Sequence, residues 1–135
     1  MMLKLPFKKV GGERGQAMVE MALVLPVLIL LIFGIVEFGR VFNAYLIVTN
    51  AAREGARAGV VGVSDSIIHQ TVESAAPTLN NLLLNVTITP SSTYRTRGSA
   101  LTTEVEYPVK IYAPVISNII GNPYVIKGKS TMRVE

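Results

Sequence analysis

An uninterrupted apolar run near the N-terminus most constrains what this chain can fold into. Residues 21–36, MALVLPVLILLIFGIV, hold no charged side chain, and the only charge between Ala17 and Val36 is Glu20. At about 1.5 Å per helical residue, the stretch from Ala17 to Val36 reaches roughly 30 Å, the thickness of a bilayer's hydrocarbon core. A core helix of a soluble domain would show a polar face at helical spacing, and this run shows none. The run therefore predicts a transmembrane helix.

Basic residues before the run predict its orientation. They are Lys4, Lys8, Lys9 and Arg14. Cytoplasmic flanks of membrane helices carry an excess of lysine and arginine, so we expect a single pass through the cytoplasmic membrane with the N-terminus inside. A secretory signal peptide shares this basic start, but the uncharged run exceeds its usual hydrophobic region.

The composition argues against an enzyme. The chain has no cysteine and one histidine, His69. Disulfides, thiolate metal sites and cysteine nucleophiles are therefore excluded, and a catalytic triad or multi-histidine metal site would lack parts. We expect no enzymatic activity, no cofactor, no metal and no small-molecule substrate.

The positive net charge belongs to the N-terminal segment. Of the formal charge of +4, residues 1–15 hold four basic side chains and one acid, which leaves +1 for the rest of the chain. Arg95 and Arg97 beside Tyr94 are the other small basic cluster, and we interpret them as a solvated loop. We expect no nucleic-acid partner.

Glu20 is the residue that most needs an explanation. A carboxylate at the edge of an apolar span costs a few kcal/mol if it enters the hydrocarbon unpaired. One interpretation is that Glu20 simply lies at headgroup level. Yet Gly15 lies five residues earlier, and a cut after it would place a new amino group on Gln16, one helical turn from Glu20. The two charges would then neutralise each other, within one chain or between neighbours.

Three sequence blocks carry a family resemblance. They are RGQAMVEMALVLP at residues 14–26, FGIVEFGR at 33–40 and NAAREGAR at 50–57. The basic leader, the glycine and the glutamate five residues on are similar to type IV prepilins and pseudopilins. In this order, before a strand-rich tail, the three blocks resemble the TadE-like family of the tight-adherence (Tad, or Flp) pilus apparatus. The resemblance covers roughly residues 13–60.

This resemblance implies roles for individual residues. Residues 1–15 would be a leader, Gly15 would precede the scissile bond, Gln16 would be the mature N-terminus, and Glu20 would help peptidase recognition and assembly. The protease would be a separate prepilin peptidase. Other partners would be pilin or pseudopilin subunits and Tad platform proteins, in a homo- or hetero-oligomer. The chain would thus be a minor pilin, a building block. Gln16 departs from the aromatic first residue common in type IV pilins.

The remaining pattern predicts an α+β, pilin-like fold. We expect a transmembrane helix over 16–40 and an extracytoplasmic head over 41–135. Pro26 predicts a kink or local unwinding, because it removes the hydrogen bond to the carbonyl of Ala22. The helix continues to about 60 on a stripe that includes Tyr45. A short helix over about 64–76 has Ile67 on its buried face. Strands are expected over about 85–90, 101–112 and 123–134, as a small antiparallel sheet on the long helix.

Several points stay open at this stage. Small residues near 51–59 permit close approach of another backbone, either the chain's own sheet or another subunit. Glu37 and Arg40 are interpreted as a solvated interfacial pair, and Asp65 as a solvating charge. The alternative to a minor pilin is an uncleaved bitopic envelope protein with a small external binding domain.

Overall fold

The computed structural model of this protein describes residues 12–135, so Lys4, Lys8 and Lys9 lie outside the described residues. The chain divides into two compact units, with the boundary between Ile35 and Val36. Its elements are α1 (Gly12–Val60), α2 (Asp65–Ala75), a 3-10 turn (Asn81–Leu83), β1 (Asn85–Thr89), a second 3-10 turn (Ser92–Tyr94), β2 (Ala100–Val109), α3 (Pro114–Ile120) and β3 (Tyr124–Arg133). The predicted α+β class, with a long apolar N-terminal helix and a three-stranded antiparallel sheet, is confirmed.

The N-terminal unit consists of the apolar part of α1. Within residues 12–135, α1 is the one helix long and apolar enough to cross a membrane, and its most apolar window is fully exposed. Every side chain from Met18 to Phe33 is exposed. A helix that is apolar on all sides and covered by no other element matches a single membrane span.

Pro26 lies in the middle of this apolar stretch. The α-helix continues on both sides of it without a break. The kink or local unwinding expected at this position remains a prediction.

The head is built on a sheet in the order β1-β2-β3, with both pairs antiparallel. β1 pairs with β2 from Asn85↔Glu106 to Thr89↔Thr102, and β2 pairs with β3 along its whole length. Pro108 lies in the central strand, but β1 has no residue opposite it. At this position β2 has a neighbour on one side only, which explains how a residue without an N–H is accommodated.

The second half of α1 packs on this sheet through small residues. Its buried face holds Ala44, Val48, Ala51, Ala52, Gly55, Ala56 and Gly59. In β3, a Cβ added at Gly128 would lie 2.7 Å from the carbonyl oxygen of Val48 and 2.9 Å from the Cα of Thr49. At Gly55 and Gly59 the neighbours are side chains of α2 and β2, so elements of the chain itself pack against these small residues.

Two residues predicted on buried stripes are exposed instead. Tyr45 is exposed because the packed face of α1 runs through Ala44 and Val48, and a spacing of three from Val41 leads to Ala44 rather than Tyr45. Ile67 is exposed because α2 turns Ile68 and Val72 toward α1. In each helix the preceding or following residue, Ala44 or Ile68, is buried instead.

Arg95 and Asp65 contradict their interpretation as solvated charges. The side chain of Arg95 is 3% exposed and forms an ion pair with Asp65. Its guanidinium also donates to the carbonyl of Val63 at 2.7 Å, and Asp65 accepts the backbone N–H of Ser92 at 3.0 Å. These contacts anchor the polar loop after β1 to the start of α2. The carboxylate that pairs with Arg95 lies thirty residues earlier, so local sequence could not reveal it.

The ion pair sets the ionisation of Asp65. Burial by itself raises the pKa of the Asp65 carboxyl, but hydrogen bonds from the Ser92 amide and the Arg95 guanidinium outweigh it, so that the pKa is lowered from its ordinary value. A carboxylate with a depressed pKa in the folded state contributes stability above its unfolded pKa, and that contribution disappears as the pH falls through the folded value.

We expect Gly128→Ala to destabilise the head by about 1 to 3 kcal/mol, because the added methyl group meets the α1 backbone, which cannot move aside as a flexible side chain could. Urea unfolding of the detergent-solubilised protein measures this. Gly39→Ala is the matched control: it lies in α1, where a Cβ would meet no other atom of residues 12–135 within 4 Å. That variant should be neutral or slightly more stable, and equal losses in both variants would contradict the close approach at Gly128.

We expect Asp65→Asn to reduce head stability at neutral pH and to flatten its loss in acid. Wild-type stability should fall as the pH drops below the ordinary aspartate value of 3.8, where the ion pair is lost, whereas the variant lacks this titration. Thermal unfolding between neutral pH and about pH 3 measures the difference between the two proteins. Glu73→Gln, which removes an exposed carboxylate from the same helix, should keep the wild-type slope.

Candidate functional site

The predicted processing site lies in α1. Gly15 and Gln16 are both helical, so the peptide bond between them is part of the helix in the intact chain. A Cβ at Gly15 would meet no other atom of residues 12–135 within 4 Å. A larger side chain at Gly15 would therefore not disturb the fold, and any effect of it would arise in a partner that binds this turn.

Gln16 and Glu20 are in contact on the surface of the helix. The side-chain amide of Gln16 donates to the Glu20 Oε1 at 3.2 Å, in the i to i+4 relation. Both residues are exposed. The geometry thus brings together the two residues that the sequence singled out. The partner of the carboxylate in the intact chain is a neutral amide.

Glu20 also borders an apolar surface. Together with Ala17, Met21, Val24, Leu25 and Leu28 it lines a shallow depression of about 350 Å³ on one face of α1. Glu20 is the one charged residue among these. A helix from another protein that packs in this depression would meet aliphatic side chains and, at one end, a carboxylate able to accept hydrogen bonds from a cation.

Glu37 and Arg40, just after the apolar run, contradict the expectation of a solvated pair. Glu37 is 6% exposed, and the Arg40 Nη1 lies 2.7 Å from its Oε1. Arg40 also donates to the carbonyl of Lys110 at 3.5 Å, and its guanidinium lies 4.6 Å from the ring centroid of Tyr112. Glu37 is buried, whereas the Arg40 side chain is 41% exposed and contacts the segment after β2. Sequence reasoning missed this contact because Lys110 is seventy residues from Arg40.

The segment that holds these residues is similar to a known family. A family model described as TadE-like protein matches residues 15–57. This segment of the chain is TadE-like. The predicted family resemblance is confirmed, and the match includes Gly15, Glu20 and the Glu37–Arg40 pair. The matched segment includes the helix that is long and apolar enough to cross a membrane. Searches of curated proteins and of solved structures found no match.

The matched segment ends before the sheet. Residues 58–135, which hold α2, α3 and all three strands, lie beyond it. Any role of the head therefore has to be argued from its own surface. The positions predicted for cleavage and recognition remain predictions, since the contacts of Gly15, Gln16 and Glu20 describe the uncleaved chain.

We expect Arg40→Ala to destabilise the head by about 1 to 2 kcal/mol, because it leaves the buried Glu37 carboxylate without its charged donor, while the partial exposure of Arg40 moderates the loss. Glu37→Gln alone should cost less, and adding it to Arg40→Ala should recover part of the stability, because no buried charge remains. Urea unfolding of the four proteins in this double-mutant cycle measures the coupling. Strictly additive losses would contradict a direct Glu37–Arg40 interaction.

Proposed function

We propose that this chain is a minor pilin or pseudopilin of a Tad (type IVc, Flp) pilus or secretion apparatus. It is inserted in the cytoplasmic membrane with its N-terminus inside, cleaved after Gly15 by a separate prepilin peptidase, and assembled through α1 with other pilin subunits and Tad platform proteins. The contact between Gln16 and Glu20, at the edge of an exposed apolar helix in a TadE-like segment, carries this proposal.

The position of the proposed cleavage site in the helix favours processing. A protease needs an accessible, extended backbone, so this part of α1 has to unwind before the Gly15–Gln16 bond is cut. Each glycine costs about 1 kcal/mol relative to alanine in a helix. Gly12 and Gly15 therefore make this part of α1 easier to unwind.

Cleavage changes the chemistry beside Glu20. Hydrolysis of the Gly15–Gln16 bond leaves an amino group on the residue whose side chain already contacts this carboxylate. At the edge of a low-dielectric span, an ammonium–carboxylate pair is stronger than the amide–carboxylate contact of the precursor. The amine of a neighbouring subunit offers the same partner, so one carboxylate serves both processing and subunit register.

The apolar surface of α1 supports assembly. Side chains that lie in lipid need other apolar groups around them once a subunit leaves the bilayer, and neighbouring pilin helices supply these. The role proposed for the chain is therefore that of a building block and not that of an enzyme. Its head would be carried on the extracytoplasmic side.

Processing is tested by mass spectrometry of the N-terminal peptide of the membrane-bound protein, with and without the host's prepilin peptidase. We expect a peptidase-dependent N-terminus at Gln16. Gly15→Leu should abolish the cut, whereas Gly12→Leu, which alters another open glycine of the same turn, should leave it in place. An N-terminus at Met1 in both strains would contradict the proposal and favour an uncleaved bitopic envelope protein.

Assembly is tested at Glu20. We expect Glu20→Ala and Glu20→Gln to insert in the membrane normally but to reduce the number of pili strongly, since neither side chain can pair with an amine. Glu13→Gln removes a carboxylate of the proposed leader and should leave pilus counts unchanged. Electron microscopy of pili and fractionation of membranes provide the two readouts. Normal piliation in both Glu20 variants would refute the assembly role.

A further inference from the structure

The connection between β2 and β3, residues 110–123, lies at the end of the sheet nearest Arg40 of α1. Along β2, Leu101 lies against Gly59 and Thr103 against Gly55, so later residues of the strand meet earlier residues of the helix. The carbonyl of Lys110 accepts a hydrogen bond from Arg40, four residues after the last residue of the uncharged run. The connection therefore lies beside the turn of α1 that follows the membrane span.

The same connection is apolar and exposed. Between Glu106 and Lys127 the sequence contains one charged residue, Lys110. Exposed large apolar and aromatic side chains in this part of the chain are Tyr112, Val115, Ile119, Ile120, Tyr124 and Val125. Ile119 is 76% exposed although it lies in a regular helix. An exposed apolar patch of this kind marks an interaction surface.

The patch is held in a defined geometry. The side-chain amide of Asn122 donates to the carbonyl of Ile111 at 2.9 Å and accepts the Ile111 N–H at 3.1 Å. This pair of hydrogen bonds closes the base of the connection on both sides of α3. The exposure of the α3 side chains is thus a property of an ordered element.

The opposite end of the sheet has a different character. The loop from Pro90 to Ser99, PSSTYRTRGS, is dominated by hydroxyl and basic side chains. One aromatic residue, Tyr94, is 77% exposed there. The two ends of the head are therefore asymmetric, with the apolar end beside Arg40.

We propose that α3 and its flanking tyrosines lie in the headgroup–acyl boundary of the bilayer, with Lys110 facing anionic headgroups. Interfacial elements combine branched apolar side chains that enter the boundary, tyrosines at headgroup level and basic residues attracted to anionic lipid. The continuity of the patch with the turn that leaves the span identifies the bilayer as its occupant. The proposal depends on membrane insertion of α1 but on neither cleavage nor pilus assembly. It implies that the head contacts the membrane surface through α3.

The absence of tryptophan from the sequence makes the test direct, because one substitution supplies the chain's one tryptophan signal. We would place full-length Ile119→Trp, Tyr94→Trp and Phe33→Trp variants singly in nanodiscs, with lipids brominated near the headgroup end of their acyl chains. The Phe33→Trp variant reports the span, and Tyr94→Trp is the matched exposed control. In Ile119→Trp, bromolipid should remove about half of the emission or more, whereas Tyr94→Trp should keep nearly all of it.

Each outcome decides the proposal. If bromolipid leaves equal emission in the Ile119→Trp and Tyr94→Trp discs while it quenches Phe33→Trp, the proposed contact of α3 with the bilayer is overturned. The proposed function is then unaffected. Blue-shifted but unquenched emission at position 119 also overturns it, since protein then covers α3. Unquenched Phe33→Trp emission refutes the membrane premise itself.

The contact of Lys110 with lipid headgroups is tested by a separate substitution. In Ile119→Trp, discs of phosphatidylglycerol should give stronger quenching than discs of phosphatidylcholine, and adding Lys110→Gln should abolish that difference. Lys129→Gln, which removes a basic residue of β3 away from the connection, should preserve it. A lipid difference that survives Lys110→Gln would overturn the role of Lys110.

Discussion

One continuous helix has to satisfy two environments, and the rest of the structure depends on how it does so. From Met21 to Phe33, α1 has apolar side chains on every side, which suits lipid, and no other element of residues 12–135 covers them. After Glu37 it offers a face of small residues, which suits close contact with a sheet. Helix propensity does not distinguish the two halves of α1, because both are helical. The side chains on the surface of each half determine whether it packs against lipid or against the sheet. The change occurs within about one turn.

The head is possible because α1 is narrow where the sheet meets it. Gly128 brings the β3 backbone against Val48 and Thr49, while Gly55 and Gly59 admit Val72, Thr103 and Leu101 from the opposite elements. A small domain has little apolar surface to bury, so it gains most from interfaces without voids. The long helix is therefore both membrane anchor and core element. Destabilising its packing on the sheet would leave the anchor intact and the head without a core.

Sequence patterns predicted what depends on neighbours along the chain. Local signals predicted the apolar run, the period-two strands, the continuation of the long helix to about 60 and the short helix over about 64–76. The structure contains these elements. The wrong predictions concern charged residues whose neighbours in space lie far away in the sequence. Glu37 pairs with Arg40, which also contacts the segment around Lys110, and Arg95 contacts Val63 and Asp65, so an isolated charge in a local window wrongly indicated solvent. Tyr45 failed for a geometric reason, since spacings of three and four lead to adjacent helix positions with opposite exposure.

The two carboxylates that flank the apolar run differ in a way that bears on function. Glu37 is satisfied within the chain by an arginine at 2.7 Å and is buried. Glu20 is exposed, and among residues 12–135 its hydrogen-bond partner is the neutral amide of Gln16 at 3.2 Å. The amide supplies a hydrogen bond to the carboxylate but no positive charge, so a cation at this place would add the attraction of opposite charges. An amine created at Gln16, on the same or a neighbouring chain, is the cation that the helix geometry brings closest. The asymmetry therefore favours an intermolecular or post-cleavage role for Glu20 and a structural one for Glu37.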